Sequence, residues 1–538
     1  MKKLITRIVM VVIGILVSAN GFAQSDYSDH NSVTRRLKAL ERSHGKLVSL
    51  SSLTKSPNGH DIWLLTIGGG DTSTKPAVAV IGGAEGAHLL GTELALGFAE
   101  KLLANSDSPE IKSLLESTTY YVVPGLNPDA AQQYFATLTY ERGGNGTKTD
   151  DDRDGAFDED PFEDLNGDGL VTMMRVQDPT GSWKISDIDP RVMVKAEPGE
   201  NGEYLLFTEG RDNDSDGHFN EDGEGGVNIN KNFTFDFPYF EAGAGENMAS
   251  QPENIALMDF LFDEARNVFA VVSFGPADNL SKALKFNRGA VSKRVVSGWY
   301  EDDVEVNELI SGYYNDATDL GKDPAGDARQ GDLFQWAYYH YGRFSFSTPG
   351  WWTPEISGEK FETEEAHYLA WADSNGIDAF VEWQEIDHPD FEGKKVEIGG
   401  LKPFSGLPPY SMVDSLAQDH TDFLIKVGEA KPMIELVNMK REKTGKNLTR
   451  ITVDVYNSGL LPTASHLGTR TSWVRDVMID ADLSGDLEFV SGNKRSYVES
   501  IAADGFETYS WLVRGKGTFT LKAGAPQAGF ATKTETIK

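Results

Sequence analysis

Residues 77–96 read AVAVIGGAEGAHLLGTELAL. Ala77 to Ile81 is a short apolar run bounded by Pro76 and by Gly82-Gly83, the mark of a strand buried on both faces. From Thr92 to Ala104, Leu94, Phe98 and Leu102 recur at helical spacing with alanines between them, so the strand passes through a short turn into a helix. Ser108-Pro109 then supplies an N-cap with proline at the first helical position, and Thr118 to Pro124 (TTYYVVP) returns to strand. Upstream, Ile62 to Ile67 (IWLLTI) reads as a further buried strand. Strand, helix, strand with polar connections predicts an α/β sheet with helices packed on it.

The pattern resumes beyond Gly243. Glu253 to Ala265 predicts an amphipathic helix, Val268 to Phe274 a buried strand, Leu333 to Tyr341 a helix and Arg343 to Thr348 a last strand. Residues 24–400 are therefore expected to form one large α/β unit. From Met433 onward, ELVNMKRE, LTRITVDVYNSG, WVRDVMIDADLSG and ETYSWLVRGKGTFTLKAG alternate in a β-rich manner with turn residues between them. Several short strands so spaced predict an all-β sandwich over residues 431–538. Residues 401–430 connect the two units: Pro403 to Pro409 is a Pro/Gly linker, and Ser411 to Val427 is expected to be a helix docking them together.

The chain has 538 residues, 39% of them hydrophobic, which is enough for more than one packed core and excludes global disorder. Lys2, Lys3 and Arg7, a ten-residue apolar run from Ile8 to Val17, and Gly21-Phe22-Ala23 predict a secretory signal peptide over residues 1–23. The apolar run is too short for a membrane crossing, which needs about 20 residues. With no other segment long and apolar enough to span a bilayer, the protein is expected to be periplasmic or secreted, with no membrane span after signal cleavage. No cysteine is present, so a disulfide framework is excluded. The net charge of −33 repels polyanions, and no Lys/Arg cluster reverses it locally, so nucleic acid is not an expected partner.

Two stretches concentrate the acid. Residues 150–160 (DDDRDGAFDED) and 212–222 (DNDSDGHFNED) both place acids at positions 1, 3 and 5, Gly at 6, Phe at 8, Asp or Asn at 9, Glu at 10 and Asp at 11. Oxygen ligands at alternate positions, with a glycine allowing a sharp turn, suit a hard cation that collects six or more oxygens. Calcium-like loops are therefore predicted at 150–175 and 212–224. Their candidate ligands are Asp150, Asp152, Asp154, Asp158, Asp160, Asp164, Asn166 and Asp168 in the first, and Asp212, Asp214, Asp216, Asn220 and Asp222 in the second. None has the twelfth-position Glu of an EF-hand, and a solvated acidic loop is the alternative. Calcium would hold together carboxylates that otherwise repel one another.

IGGAEGAHLLGTELAL at Ile81 to Leu96, SPNGHDIWLLTIG upstream and VVPGLNPDA downstream together resemble the zinc carboxypeptidase family, the carboxypeptidase A-like metallopeptidases. The likeness continues through EDLNGDGLVTMMRVQDP, EGGVNINKNF, FQWAYYHYGRFSFSTPGWW and VEIGG, and it is similar to a secreted bacterial branch with acidic loops and a C-terminal β-domain. The resemblance implies a carboxypeptidase-like mixed sheet flanked by helices. It also implies zinc held by three protein groups, with the remaining coordination open for water and substrate.

At the positions the resemblance assigns to that chemistry, this chain departs from the family. Glu85 stands where the family has His, and His88 where it has Glu. Gly275 occupies the place of the second His, which leaves a vestigial zinc site. Pro349 occupies the place of the catalytic Glu, with Glu355 six residues on as a weak candidate base. Asn230-Lys231 stands for the Asn-Arg pair that binds the substrate carboxylate; Lys keeps the charge but loses the bidentate fork. No G-x-S-x-G motif is present, and lone histidines such as His218, His340 and His466 read as structural. Three functions are open. One is a calcium-stabilised, catalytically inactive module that binds a peptide or protein C-terminus. Another is a working zinc carboxypeptidase using Glu85, His88, a third ligand such as Asp278, and Glu355 as base. Carbohydrate or surface adhesion through the β-domain is a third.

Overall fold

The structure is a computed structural model that describes residues 26–538 apart from 151–154, 159, 214–216, 218, 221–222, 224, 322–325, 327 and 472. The expected leader therefore lies outside the described residues, as do Asp152, Asp154, Asp214, Asp216, Asp222 and His218.

The first half opens with a helix the sequence reading passed over, α1 (His30–His44), capped by the Asp29 side chain. A hairpin of β1 (Val48–Lys55) and β2 (Asp61–Ile67) follows, then β3 (Ala77–Ile81), α2 (Leu89–Ala104), α3 (Pro109–Ser117), β4 (Thr119–Val123) and the single turn α4 (Pro128–Ala131). Ser108 caps α3 through the Ile111 amide, as its Ser-Pro start predicts. Strands β5 (Met173–Gln177), β6 (Trp183–Ile185), β7 (Met193–Lys195) and β8 (Tyr204–Thr208) come next. After them run α5 (Pro252–Asp259), β9 (Val268–Phe274), α6 (Arg288–Val291), α7 (Glu301–Ala317), α8 (Leu333–Tyr339), β10 (Phe344–Thr348), α9 (Glu364–Asn375), β11 (Phe380–Ile386), β12 (Val396–Leu401) and α10 (Tyr410–Glu429).

The central sheet has the order β1-β2-β4-β3-β9-β10. The four strands from β4 to β10 are mutually parallel, and the hairpin adds two antiparallel strands at one edge. Every residue of β3, β4, β9 and β10 is buried, as a sheet covered on both faces requires. Alternation along β3 and β4 divides the two cores. Val78, Val80, Tyr120 and Val122 pack toward α2 and α10, while Ala77, Ala79, Ile81, Tyr121 and Val123 pack toward α5 and α8. Helices α2 and α10 approach closely at Gly97, where a β-carbon would lie 2.8 Å from that of Ala417.

The sequence reading also missed a second, antiparallel sheet, ordered β11-β12-β5-β8-β6-β7. Its small core of Met174, Val176, Val396 and Ile398 carries Phe207, Phe219 and Phe391 on its flank. The acidic segments adjoin this sheet: Glu209, buried after β8, accepts from the amides of Leu165 and Thr172. Arg175 of β5 is paired with Glu397 at 2.9 Å and lies 4.2 Å over the Trp383 ring.

The remaining strands, β13 (Ile434–Gly445), β14 (Leu448–Asn457), β15 (Val477–Gly485), β16 (Glu488–Ser491), β17 (Arg495–Val498), β18 (Phe506–Arg514), β19 (Gly517–Ala525) and β20 (Gly529–Ile537), form two four-stranded sheets. Their inward residues, among them Ile451, Val453, Ile479, Val513, Phe519 and Leu521, make a separate core. The two-sheet, alternating pattern matches the strand-rich unit expected from the sequence. A short helix, α11 (His466–Thr469), touches the first unit: Asp303 of α7 accepts hydrogen bonds from the His466 and Leu467 amides and from the Tyr338 hydroxyl.

Candidate functional site

In parallel sheets, the groups that act on a ligand collect beyond the carboxyl ends of the strands, where neighbouring connections diverge. Here β3 has β4 on one side and β9 on the other, and the turns after β3, β9 and β10 converge there. The turn after β3 is tight. A β-carbon on Gly82 would stand 2.2 Å from the Gly91 carbonyl oxygen, so only glycine lets the chain fold back onto the start of α2.

That turn carries Glu85 and His88, which face different partners. One Glu85 oxygen accepts from Asn228 Nδ2 at 2.9 Å, and the other lies 3.9 Å from the exposed Arg329 guanidinium. Asn228 also caps the next turn, its Oδ1 accepting from the Asn230 amide at 2.8 Å. His88 begins α2, and its Nε2 donates to the Pro349 carbonyl at 2.9 Å. Because a carbonyl only accepts, this contact fixes the Nε2–H tautomer. The other nitrogen, Nδ1, is buried with no hydrogen-bond partner among the described residues. Burial pushes the imidazole down to about 4, against the opposing pull of the Pro349 carbonyl, so it is neutral at physiological pH.

Gly275 closes β9 with its amide on the Thr348 carbonyl at 3.0 Å, and a β-carbon there would meet nothing within 4 Å. Pro349 is held from behind as well. The Gly350 amide donates to Thr348 Oγ1, which lies 2.9 Å from the Tyr314 hydroxyl, and that hydroxyl reaches His420 Nε2 at 3.3 Å. His420 of α10 is fully buried, donates Nδ1–H to the Leu416 carbonyl at 2.7 Å, and is pushed down to about 4 by burial. Glu355 is exposed. Asp278 is committed to its own turn: its carboxylate accepts from the Leu280 and Ser281 amides and the Ser281 hydroxyl, and burial raises it above the usual carboxylate range.

On the other wall, Asn230 is buried, and its Oδ1 accepts from the Leu333 amide at 3.1 Å, which starts α8. Lys231 is half-buried, with Nζ donating to the Ala242 carbonyl at 3.2 Å. The floor is fastened by Asp129. It accepts from His60 Nδ1 at 2.8 Å, from the Ser56 hydroxyl, and from the Asn58 and Gly146 amides. Burial opposes ionisation of Asp129, but these bonds outweigh it and hold the carboxyl below its ordinary range.

In the acidic loops, position 1 bonds position 6 in the same way twice: Asp150 accepts from the Gly155 amide at 3.0 Å and Asp212 from the Gly217 amide at 3.1 Å. Position 9 is left-handed in both, with φ of 60° at Asp158 and at Asn220. Asp158 pairs with Lys148. The loops interlock, because buried Asp160 accepts from Asn213 Nδ2 at 2.9 Å and the Asn220 amide at 2.7 Å. Farther along the first loop, Asp164 accepts from the amides of Gly167, Asp168 and Gly169, Asn166 from that of Asp168, and Asp168 from that of Leu170.

Sequence reading missed Asn228, Arg329, Thr348, Tyr314 and His420. Asn228 alone carried a local signal, as an Asn two residues before Asn230; the others come together only through the sheet.

Residues 33–167 match the family model described as zinc carboxypeptidase, and residues 433–536 match one described as a domain of unknown function (DUF8731). Carboxypeptidase D of Rattus norvegicus is 28% identical over 123 residues, which is 22% of this chain and 9% of that protein. Carboxypeptidase M of Mus musculus is 25% identical over 121 residues, 22% of this chain and 27% of that protein. Among solved structures, carboxypeptidase A from Helicoverpa armigera is similar with a TM-score of 0.42 at 12% identity, covering 75% of this chain and 73% of that one. A metallo-carboxypeptidase from Burkholderia cenocepacia gives 0.36 at 11%, covering 74% and 68%. The zinc carboxypeptidase resemblance is thus present as an independent match over residues 33–167, within an α/β fold followed by a strand-rich region. The match contains Glu85 and His88 and ends before Lys231, Gly275 and Pro349.

Zinc of the kind this family implies needs three protein donors about 2 Å from one point. The side chains at the corresponding positions do not fit it. Glu85 is turned to Asn228, His88 spends its Nε2 on a backbone carbonyl, and Gly275 has no donor. Among the described residues, no three His, Asp or Glu side chains are grouped to hold a metal ion.

Proposed function

We propose that this protein is an exported, carboxypeptidase-fold module that holds the carboxyl end of a peptide without hydrolysing it. The observation that carries the reading is the His88–Pro349 contact. The imidazole is neutral and locked to a carbonyl at the position from which the family's catalytic carboxylate would act. Hydrolysis needs a polarised water and a base beside it. Neither Pro349 nor Gly275 can supply either role, and Glu85 is already engaged.

Binding makes smaller demands. Lys231 Nζ touches a single carbonyl, and Arg329 is 57% exposed at the side chain, so both cations are open to a carboxylate. A carboxylate exchanged for a weak contact at 3.9 Å loses little and gains charge-assisted hydrogen bonds. Calcium binding by the acidic loops is supported by their repeated geometry and by two buried oxygens, Asp150 Oδ1 and Asn220 Oδ1, that find no hydrogen-bond donor among the described residues. Export to the periplasm or beyond rests on the apolar leader; sequencing the mature N-terminus tests it, with cleavage expected near Gln24.

The deciding experiment measures metal content and turnover on purified material. The expected result is calcium without stoichiometric zinc, no release of C-terminal residues from a peptide mixture, and peptide binding weakened by Lys231→Ala. Zinc-dependent, chelator-sensitive release of a C-terminal residue that His88→Ala abolishes would overturn the reading in favour of a working carboxypeptidase.

A further inference from the structure

A second cleft, of about 580 Å³, opens where the first unit meets the β-domain. Its volume falls within the range of small-molecule sites. None of the residues at the carboxyl ends of the central strands lines it. Phe262, Trp336 and Tyr339 form its walls from the first unit, and Trp473 closes it from the β-domain loop after α11. The Phe262 ring lies 4.4 Å from that of Trp473 and 5.6 Å, nearly perpendicular, from that of Trp336. Tyr339 is braced flat against Phe235 at 4.0 Å. Trp473 is nonetheless 49% exposed, so a large aromatic face is open to the cleft and to solvent.

The backbone that builds this cleft is unusual. Helix α5 runs directly into a single π turn, Phe260–Glu264, and the cleft residues Asp259 and Phe262 sit at its start and middle. Such turns are rare overall and frequent at functional sites. The charge is equally uneven. Asp259 is the one carboxylate among the lining residues, and it is exposed and has no ion pair among the described residues. His340 is neutral, with Nδ1 2.7 Å from the Thr234 hydroxyl and burial lowering its pKa. Of the cations nearby, Arg266 faces Asp263 at 3.7 Å, Arg343 is 3% exposed, lying 4.7 Å over the Tyr341 ring with Nη2 donating to the Trp473 carbonyl at 3.4 Å, and Arg475 is exposed to solvent and does not line the cleft.

An unpaired carboxylate among open aromatic faces is complementary to a weakly hydrated positive group, which gains both a counter-charge and the negative face of each ring. The net charge of −33 disfavours an anion in the same place. We propose that this cleft is a binding site for an organic cation, an alkylammonium or guanidinium group, seated against Asp259 and the rings of Trp473, Phe262 and Tyr339. The site is independent of the cleft at the strand ends, and its occupancy does not require that cleft to bind or hydrolyse anything.

Isothermal titration of the full mature chain with choline, with N-acetyl-argininamide and with 3,3-dimethylbutan-1-ol, the uncharged isostere of choline, tests the proposal. Saturable binding of at least one cation is expected, with the isostere about ten-fold weaker or worse, since only the charge differs. Preference for choline assigns a small ammonium compound, and preference for the argininamide assigns the side chain of a basic peptide. Asp259→Asn and Trp473→Ala are each expected to weaken the cation by at least about five-fold; Asp259→Asn, at an exposed position, should leave the thermal midpoint unchanged. Equal binding of the cation and its isostere, no saturable binding of either cation, or an unaltered affinity in Asp259→Asn would overturn it. The isostere comparison needs no substitution, so it decides the matter even if a variant folds poorly.

Discussion

Glu253 offers the sharpest test of how the candidate site is held. This residue is fully buried in the first turn of α5, where Asn145 Nδ2 reaches both carboxylate oxygens, at 3.1 and 3.2 Å. Asn145 belongs to the segment whose Gly146 amide binds Asp129 and whose Gly144 bridges to Asn228, the partner of Glu85. Burial pushes Glu253 up from 4.5 to about 7, against the opposing hydrogen bonds of its own amide and Asn145. One pKa unit corresponds to about 1.4 kcal/mol, so ionising this group in the folded chain costs on the order of 3 kcal/mol. A carboxyl raised in the folded state gives a stability contribution that is complete below pH 4.5 and lost as pH rises through 7. Glu253→Gln stays neutral and keeps an oxygen for Asn145. Hydrogen exchange at the Asn145, Gly146 and Thr147 amides, corrected for intrinsic rates, reads the opening free energy of this segment. The natural chain is expected to fall by about 2–3 kcal/mol relative to the variant between pH 4.5 and pH 8. A difference that stays constant across that range within about 0.5 kcal/mol would refute the reasoning.

The remaining expectations are simpler. Asp129 is held below its ordinary 3.8, so its contribution is present above that pH and disappears as pH falls through the lower folded value; acid titration should show Asp129→Asn and the natural chain converging only below about pH 3.8. Gly82→Ala should destabilise by about 2 kcal/mol or more, because its β-carbon meets a carbonyl, whereas Gly275→Ala, which meets nothing, should stay within about 0.5 kcal/mol by thermal unfolding. Leu94→Ala, fully buried between sheet and α10, should cost about 2–5 kcal/mol in the same assay. Asp303→Ala strands the His466 and Leu467 amides and the Tyr338 hydroxyl at a cost of about 1–3 kcal/mol, and limited proteolysis should then cut between the two units faster.

What the sequence disclosed follows the range of the forces involved. The buried strands Ala77–Ile81, Thr119–Val123 and Val268–Phe274 announce themselves because a strand covered on both faces is apolar throughout. The second sheet did not, because β6 and β7 are three residues each and β11 alternates mainly between exposed and half-buried positions. The end of α5 was misjudged for another reason. The apolar spacing from Glu253 to Ala265 is continuous, and only the backbone shows that its last turn widens. At the candidate site, the swapped Glu85 and His88 and the missing donor at Gly275 were legible as letters. That His88 turns to the Pro349 carbonyl, and that Tyr314 and His420 stand behind the same loop, depends on contacts 261 and 106 residues apart, which no local pattern encodes.

Helix α10 has a practical meaning for how such proteins exchange parts. It buries Phe423, Leu424 and Val427 beneath the central sheet, and the Tyr120 hydroxyl donates to the Leu424 carbonyl. A graft joined at the proline-rich stretch before Tyr410 would strip the sheet of one of its covers and expose an oily face prone to clumping. The seam at which a different tail could be spliced on, by an engineer or by recombination, falls instead past Glu429, provided the new tail replaces Leu461, which fills the first core, and Leu467, which packs on Trp299 and Tyr338.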